Sequence, residues 1–239
     1  MSNAVDTAAP KAPRKARKEK EFQVSHGFVY RLTFGSYGLL FKLGGLKVHG
    51  RENVPLTGPV IIAPNHASLF DPPLVGCTTP RPVTTMGKIE LFEKKTCGVK
   101  LLGWIIQRMG TFPVKRGQPD RRALRMAMHV LKSGEALVLF PEGTRTRTGE
   151  FGPPEPGIAL IAHSTKAPVV PMYLKGTEAG FSPLQPKFRV IHPEVFFGEP
   201  LRFEEEYARK GDRATLEAIG NRIMAEIARL KAEADGGKP

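Results

Sequence analysis

Short apolar runs broken by turn residues recur through the middle of the chain. Pro59–Ala63, Pro82–Met86, Thr111–Val114, Ala136–Phe140 and Val169–Leu174 each have the length and content of a buried strand. Polar residues follow each run: Asn65 and His66, Gly87 and Lys88, Lys115 and Arg116, Glu142 and Arg145, and Lys175. Helical spacing lies between several of them. Asp120–Lys132 places Leu124, Met128 and Leu131 on one side, with Asp120 as cap and Gly134 as stop, and Gly157–Ser164 is a second short helix. Lys187–Phe197 reads as a further strand, placed near a sheet edge by Pro193. Asp212–Ala234 carries an apolar stripe of Leu216, Ile219, Ile223, Ile227 and Leu230, which suits a closing helix packed on the body. Strands alternating with helices predict an α/β fold, with a mostly parallel central sheet flanked by helices.

The N-terminal part differs. Residues 1–22 are rich in Ala, Pro, Lys and Arg, with little to bury, and read as a disordered basic tail. Residues 23–50 carry no acidic side chain. Tyr30, Phe34, Tyr37 and Phe41 share one helical face, with Arg31, Lys42 and Lys47 beside it. Aromatic groups flanked by cations suit the headgroup boundary of a bilayer, so this stretch is expected to be an amphipathic, membrane-associating helical segment whose aromatic face meets lipid. Residues 51–239 are left as the catalytic domain. No apolar run approaches the length needed to span a bilayer, so the expected attachment is peripheral or monotopic.

Charge sharpens the choice of partner. The 36 Lys and Arg against 23 Asp and Glu leave a formal +13, which calls for an anionic partner. An anionic membrane surface or a phosphorylated substrate fits. Nucleic acid is not expected, because no recognisable binding module is present. The two cysteines, Cys77 and Cys97, make neither a disulfide framework nor a metal site.

If the strands are parallel, their carboxyl ends share one edge of the sheet, where open α/β folds bind ligands. His66, Lys88, Arg116, Glu142 and Arg145 would then converge on one crevice. Asp71 follows His66 by five positions, and a carboxylate on one imidazole nitrogen makes the other a competent base. Residues five apart do not share a helical face, so an irregular turn is expected between them. Pro72 is expected to hold Asp71 out of the helical region.

Four ordered blocks then carry a resemblance. Asn65-His66-Ala67-Ser68-Leu69-Phe70-Asp71-Pro72 fits N-H-x-S-x-x-D-P; Gly110–Gly117 resembles a second block; Phe140–Arg145 reads F-P-E-G-T-R; Val170–Gly176 is a fourth, apolar block ending in glycine. Over about residues 25–205 the chain resembles the glycerolipid acyltransferase family. One departure is that the family's lysine–glycine pair after the third block is absent from Phe151–Gly157.

The resemblance implies His66 as general base and Asp71 as its orienter. It implies Arg116 and Arg145 at the acceptor phosphate, Glu142, Gly143 and Thr144 in the acceptor site, and Lys88 at a commonly basic position. The implied reaction moves a fatty acyl group from acyl-CoA or acyl-carrier protein to the sn-2 hydroxyl of 1-acyl-sn-glycerol 3-phosphate (lysophosphatidic acid), for phospholipid biosynthesis. The implied location is the cytoplasmic face of the cell membrane. Another lysolipid or glycerol 3-phosphate are alternative acceptors, and a membrane-bound lipid-binding protein is the non-enzymatic alternative. Neither a cofactor nor a metal is expected, since His66 has no HExxH or cysteine partners. No G-x-S-x-G elbow marks a covalent nucleophile, and Ser68 reads as a turn residue. Backbone amides near Gly143 are the expected oxyanion donors.

Overall fold

The computed structural model describes residues 26–93, 97–117, 119–184, 187 and 189–236. The tail expected over 1–22 lies outside them. Helix α1 (Phe28–Leu43) leads to strand β1 (Lys47–His49). Then come β2 (Val60–Pro64), α2 (Asp71–Thr78), β3 (Val83–Lys88), α3 (Glu90–Glu93), α4 (Cys97–Arg108) and β4 (Thr111–Val114). The second half holds α5 (Arg121–Lys132), β5 (Ala136–Val138), α6 (Pro156–Thr165), β6 (Val169–Lys175), β7 (Glu194–Phe197), α7 (Glu204–Ala208) and α8 (Arg213–Ala234).

These strands form one sheet in the order β1-β7-β6-β2-β5-β3-β4. From β6 to β4 every pairing is parallel; β7 runs antiparallel to β6, and β1 runs parallel to β7. All five residues of β2 are buried because helices cover both faces of the sheet. Alternate side chains serve separate cores. Ile61, Leu137 and Val169 pack with α5, α6 and α8, whereas Ile62, Val138 and Val170 pack with residues of α1 and α2.

Local chemistry explains the helices that the sequence anticipates. The Asp120 carboxylate accepts from the Arg122 and Ala123 amides, capping α5, and Gly134 follows its end at φ 77°. The Asp212 side chain caps α8 by accepting from Thr215 N, and Ile219, Ile223, Ile227 and Leu230 are its buried stripe.

The strand at the end of 187–197 lies near an edge, as expected: β7 sits between β6 and β1, with Pro193 just before it. The edge itself belongs to the short β1, inside the segment assigned to the membrane. Two expectations are corrected. Asp71 is not held out of the helix but opens α2, because Pro72 and Pro73 fall in the first turn, where no intrahelical amide donor is needed. Finally, the aromatic face of α1 does not point outward. Tyr30, Phe34 and Phe41 are buried against the body, and the Tyr30 hydroxyl accepts from Val83 N at 2.9 Å. Phe34 fits over Gly76 of α2, where a Cβ would lie 1.9 Å from its ring. The outer face is mostly aliphatic instead: Leu32, Leu39, Leu40 and Leu43 are exposed, with Phe28 at its start. No helix among the described residues is long and apolar enough to cross a membrane.

Candidate active site

β2 ends at the carboxyl edge of the sheet, and the chain turns there to release His66. Asn65 makes that turn possible. Its backbone N–H still donates to Met172 O, while its side chain donates to Leu174 O at 3.3 Å and accepts from Leu174 N at 2.7 Å. The amide thus continues the β2–β6 ladder while the backbone leaves it. The His66 backbone is then held at both ends. Its N–H donates to Glu142 Oε1 at 3.3 Å, and its carbonyl accepts from Thr146 N at 2.8 Å.

The imidazole is buried and oriented. His66 Nδ1 lies 2.8 Å from Asp71 Oδ2, which also accepts from the Ala67 and Ser68 amides at 2.7 Å each. Asp71 is fully buried. An ionised carboxylate offers no proton, so Nδ1 must donate, and the lone pair is left on Nε2. Phe140 stacks on the ring at 4.1 Å, closing one face. Ser68 is a turn residue as expected: its hydroxyl donates to Phe181 O and accepts from Phe70 N.

The other site residues lie along the same edge, after β5, β3 and β4. Lys88 ends β3, exposed, and pairs with Glu90 at 3.4 Å. Arg116 follows β4, three strands from His66, or about 14 Å at ordinary strand spacing. Partial burial, then the neighbouring Arg145, lowers the Arg116 pKa, and Glu90 opposes the shift. Neither guanidinium has a carboxylate within ion-pair distance among the described residues. Two neighbouring cations make a place where a phosphate is favoured.

The turn of the third block also has a structural part. The Glu142 carboxylate is occupied on both oxygens, by His66 N and by Gly152 N at 2.9 Å. It therefore ties the 141–152 loop to the base. Gly143 adopts φ 68°, and a Cβ there would meet Glu155 Cγ at 2.7 Å. The Gly143 and Thr144 amides bond to Phe140 O and Glu142 O within the turn, which removes them as the expected oxyanion donors. Phe140 and Asn65 stand within the blocks, but nothing local in the sequence marks their tasks. Among the described residues, no group of three or more His, Cys, Asp or Glu side chains is gathered as a metal site would need. Burial pushes the Cys77 thiol up to about 12, so it is not an activated nucleophile.

Comparison with known proteins places this geometry. Residues 45–175 match the family model described as Acyltransferase. The chain is 30% identical over 209 residues to 1-acyl-sn-glycerol-3-phosphate acyltransferase of Bacillus subtilis, covering 87% of this chain and 99% of that protein. It is 29% identical to the Streptococcus pneumoniae protein of the same name, covering 82% of this chain and 70% of that one. A crystal structure of the 1-acyl-sn-glycerophosphate acyltransferase PlsC from Thermotoga maritima superposes with a TM-score of 0.64 at 26% identity, over 83% of this chain and 80% of that one.

Proposed function

This chain belongs to the acyltransferase family, and from that premise we propose that it acylates the sn-2 hydroxyl of 1-acyl-sn-glycerol 3-phosphate, drawing the acyl group from a thioester and giving phosphatidic acid. The observation that carries the reading is the His66–Asp71 pair, with Nδ1 fixed at 2.8 Å and Nε2 unbonded by any described residue, on the edge that also bears Arg116 and Arg145. The acceptor phosphate binds the two arginines through charge-assisted hydrogen bonds. Its hydroxyl then reaches His66 Nε2. As the oxygen attacks the thioester carbonyl, Nε2 takes the proton, and Asp71 steadies the imidazolium. The tetrahedral intermediate collapses by breaking the C–S bond. The thiolate leaves and recovers the proton from Nε2–H, so base and fold return unchanged. No acyl-enzyme is required. Names of relatives that act on this acceptor support the choice of substrate.

The acceptor and product are lipids, and the outer face of α1 supports attachment at a membrane surface. Leu32, Leu39 and Leu43 of α1, and Leu101 and Trp104 of the adjoining α4, are exposed. Arg108 lies over the Trp104 ring at 4.9 Å, a cation at an aromatic edge that suits an anionic headgroup layer.

The test is acyl transfer by purified protein on vesicles holding 1-acyl-sn-glycerol 3-phosphate. Oleoyl-CoA and oleoyl-carrier protein are supplied in separate arms. We expect phosphatidic acid from the wild type and none from His66→Ala. Product from neither donor, or a His66→Ala variant that keeps most of its turnover, overturns the reading.

A further inference from the structure

Helix α5 presents an exposed face made only of basic residues. Arg121, Arg122, Arg125, His129 and Lys132 are all exposed, and they fall within about 100° of one another around the helix. The stripe is about 16 Å long at the normal rise per residue. The helix contains no acidic residue. Among the described residues, none of these side chains has a carboxylate within ion-pair distance. The arginines of the longest helix are treated differently. On α8, in the same layer, Arg213 pairs with Glu217, Arg222 with Glu206, and Arg229 with both Glu226 and Glu233.

The position of the stripe is informative. α5 starts just after β4, so its first turn stands at the carboxyl edge of the sheet, and Lys115 and Arg116 lie on the chain between the two. It packs on the opposite side of the sheet from α1. The exposed aliphatic surface is on the α1 side, whereas none of the exposed positions of α5 is apolar. A bilayer held by the α1 face therefore lies on the far side of the molecule. A helix for insertion at a headgroup boundary would also show apolar groups, and this face has none.

We propose that the α5 face docks the acidic helical surface of a carrier protein that brings the acyl group as a thioester on a flexible arm. This rests on the acyl-transfer reading above and names the donor for that same site. Charge complementarity selects the partner and speeds its encounter. Docking along α5 delivers the arm at the first turn of the helix, at the sheet edge that also bears His66 and Arg116. Free acyl-CoA needs no such extended surface, so the two donors should respond differently to changes on it.

The experiment reverses charge on the stripe with Arg121→Glu, Arg125→Glu and Lys132→Glu together. A milder set, Arg121→Gln, Arg125→Gln and Lys132→Gln, guards against loss of folding. Turnover is measured with oleoyl-carrier protein and with oleoyl-CoA, beside binding to anionic vesicles. We expect kcat/KM with the carrier protein to fall by about tenfold or more in the Glu set and less in the Gln set. With oleoyl-CoA it should stay within about twofold of the wild type, and vesicle binding should be unchanged. Equal losses with both donors, unchanged use of the carrier protein, or a loss confined to vesicle binding each overturn the proposal. So does a wild type that uses oleoyl-CoA but not the carrier protein. A wild type inactive with both donors defeats the acyl-transfer reading itself, a separate failure.

Discussion

His66 and Asp71 work through a single oxygen atom. Asp71 Oδ2 collects the imidazole N–H and two backbone amides, so one buried carboxylate sets both the turn and the ring. We expect Asp71→Asn to keep the fold while turnover drops by about 10²–10⁴-fold, because an amide lacks the charge that steadies the imidazolium. KM for the acceptor should change little, since Asp71 sits behind the base. Glu142 gives a contrasting expectation. With both oxygens on backbone donors, Glu142→Gln must turn an NH₂ toward an N–H and leave one donor unmet, at a cost of about 1–3 kcal/mol. A lower melting temperature and lower kcat should follow. A rise in acceptor KM alone, with stability kept, would instead make Glu142 a substrate contact. The pair His66 and Asp71 was legible in the sequence because their spacing is local. The tasks of Glu142 and Asn65 were not, because their partners lie 76 and 109 positions away and only the finished sheet joins them.

At the scale of elements, the docking of α1 on α2 depends on a missing side chain. Gly76→Ala puts a methyl 1.9 Å from the Phe34 ring. We expect about 1–3 kcal/mol of destabilisation from overpacking, seen in chemical denaturation. Trimming the ring should relieve it, so the Gly76→Ala and Phe34→Leu double variant should lose less than the sum of the two single changes. The same docking carries a pH dependence. His26 packs edge-on to Tyr30, with Nε2 buried and unpartnered, and burial lowers its pKa, an effect that Glu135 opposes. The unfolded chain therefore binds this proton more readily than the folded one. Stability should hold above about pH 6.5 and decline as pH falls below it toward the depressed folded value. Replacing His26 with Phe should flatten that decline in thermal melts between pH 7.5 and pH 5. The strands and α5, α6 and α8 were legible because burial on both faces and capping leave local marks. The aromatic stripe of α1 was legible as a face, but periodicity does not say what covers it. The protein's own core took it, and the other, mostly aliphatic side was left exposed. β1 escaped notice because its three residues are too few to show a pattern.

For the whole molecule, these layers give the two sides of the sheet different surroundings. One side exposes aliphatic groups on α1 and α4; the other exposes the unpaired cations of α5. An overall charge of +13 would draw the protein to any anionic surface, but charge alone is screened at physiological salt. Apolar contact is not, so salt separates the two contributions. Leu39→Glu with Leu43→Glu removes two exposed leucines, 62% and 78% accessible, without touching the buried face of α1. Losing their burial in lipid should cost at least about 3 kcal/mol, a hundredfold in partitioning. We expect binding to anionic vesicles to fall by that order and the loss to persist at high salt. Turnover of a water-soluble short-chain acceptor should remain, because His66 lies on the sheet edge and not on this helix. If vesicle binding survives the double change but vanishes with salt, attachment is electrostatic and the aliphatic face of α1 has another occupant.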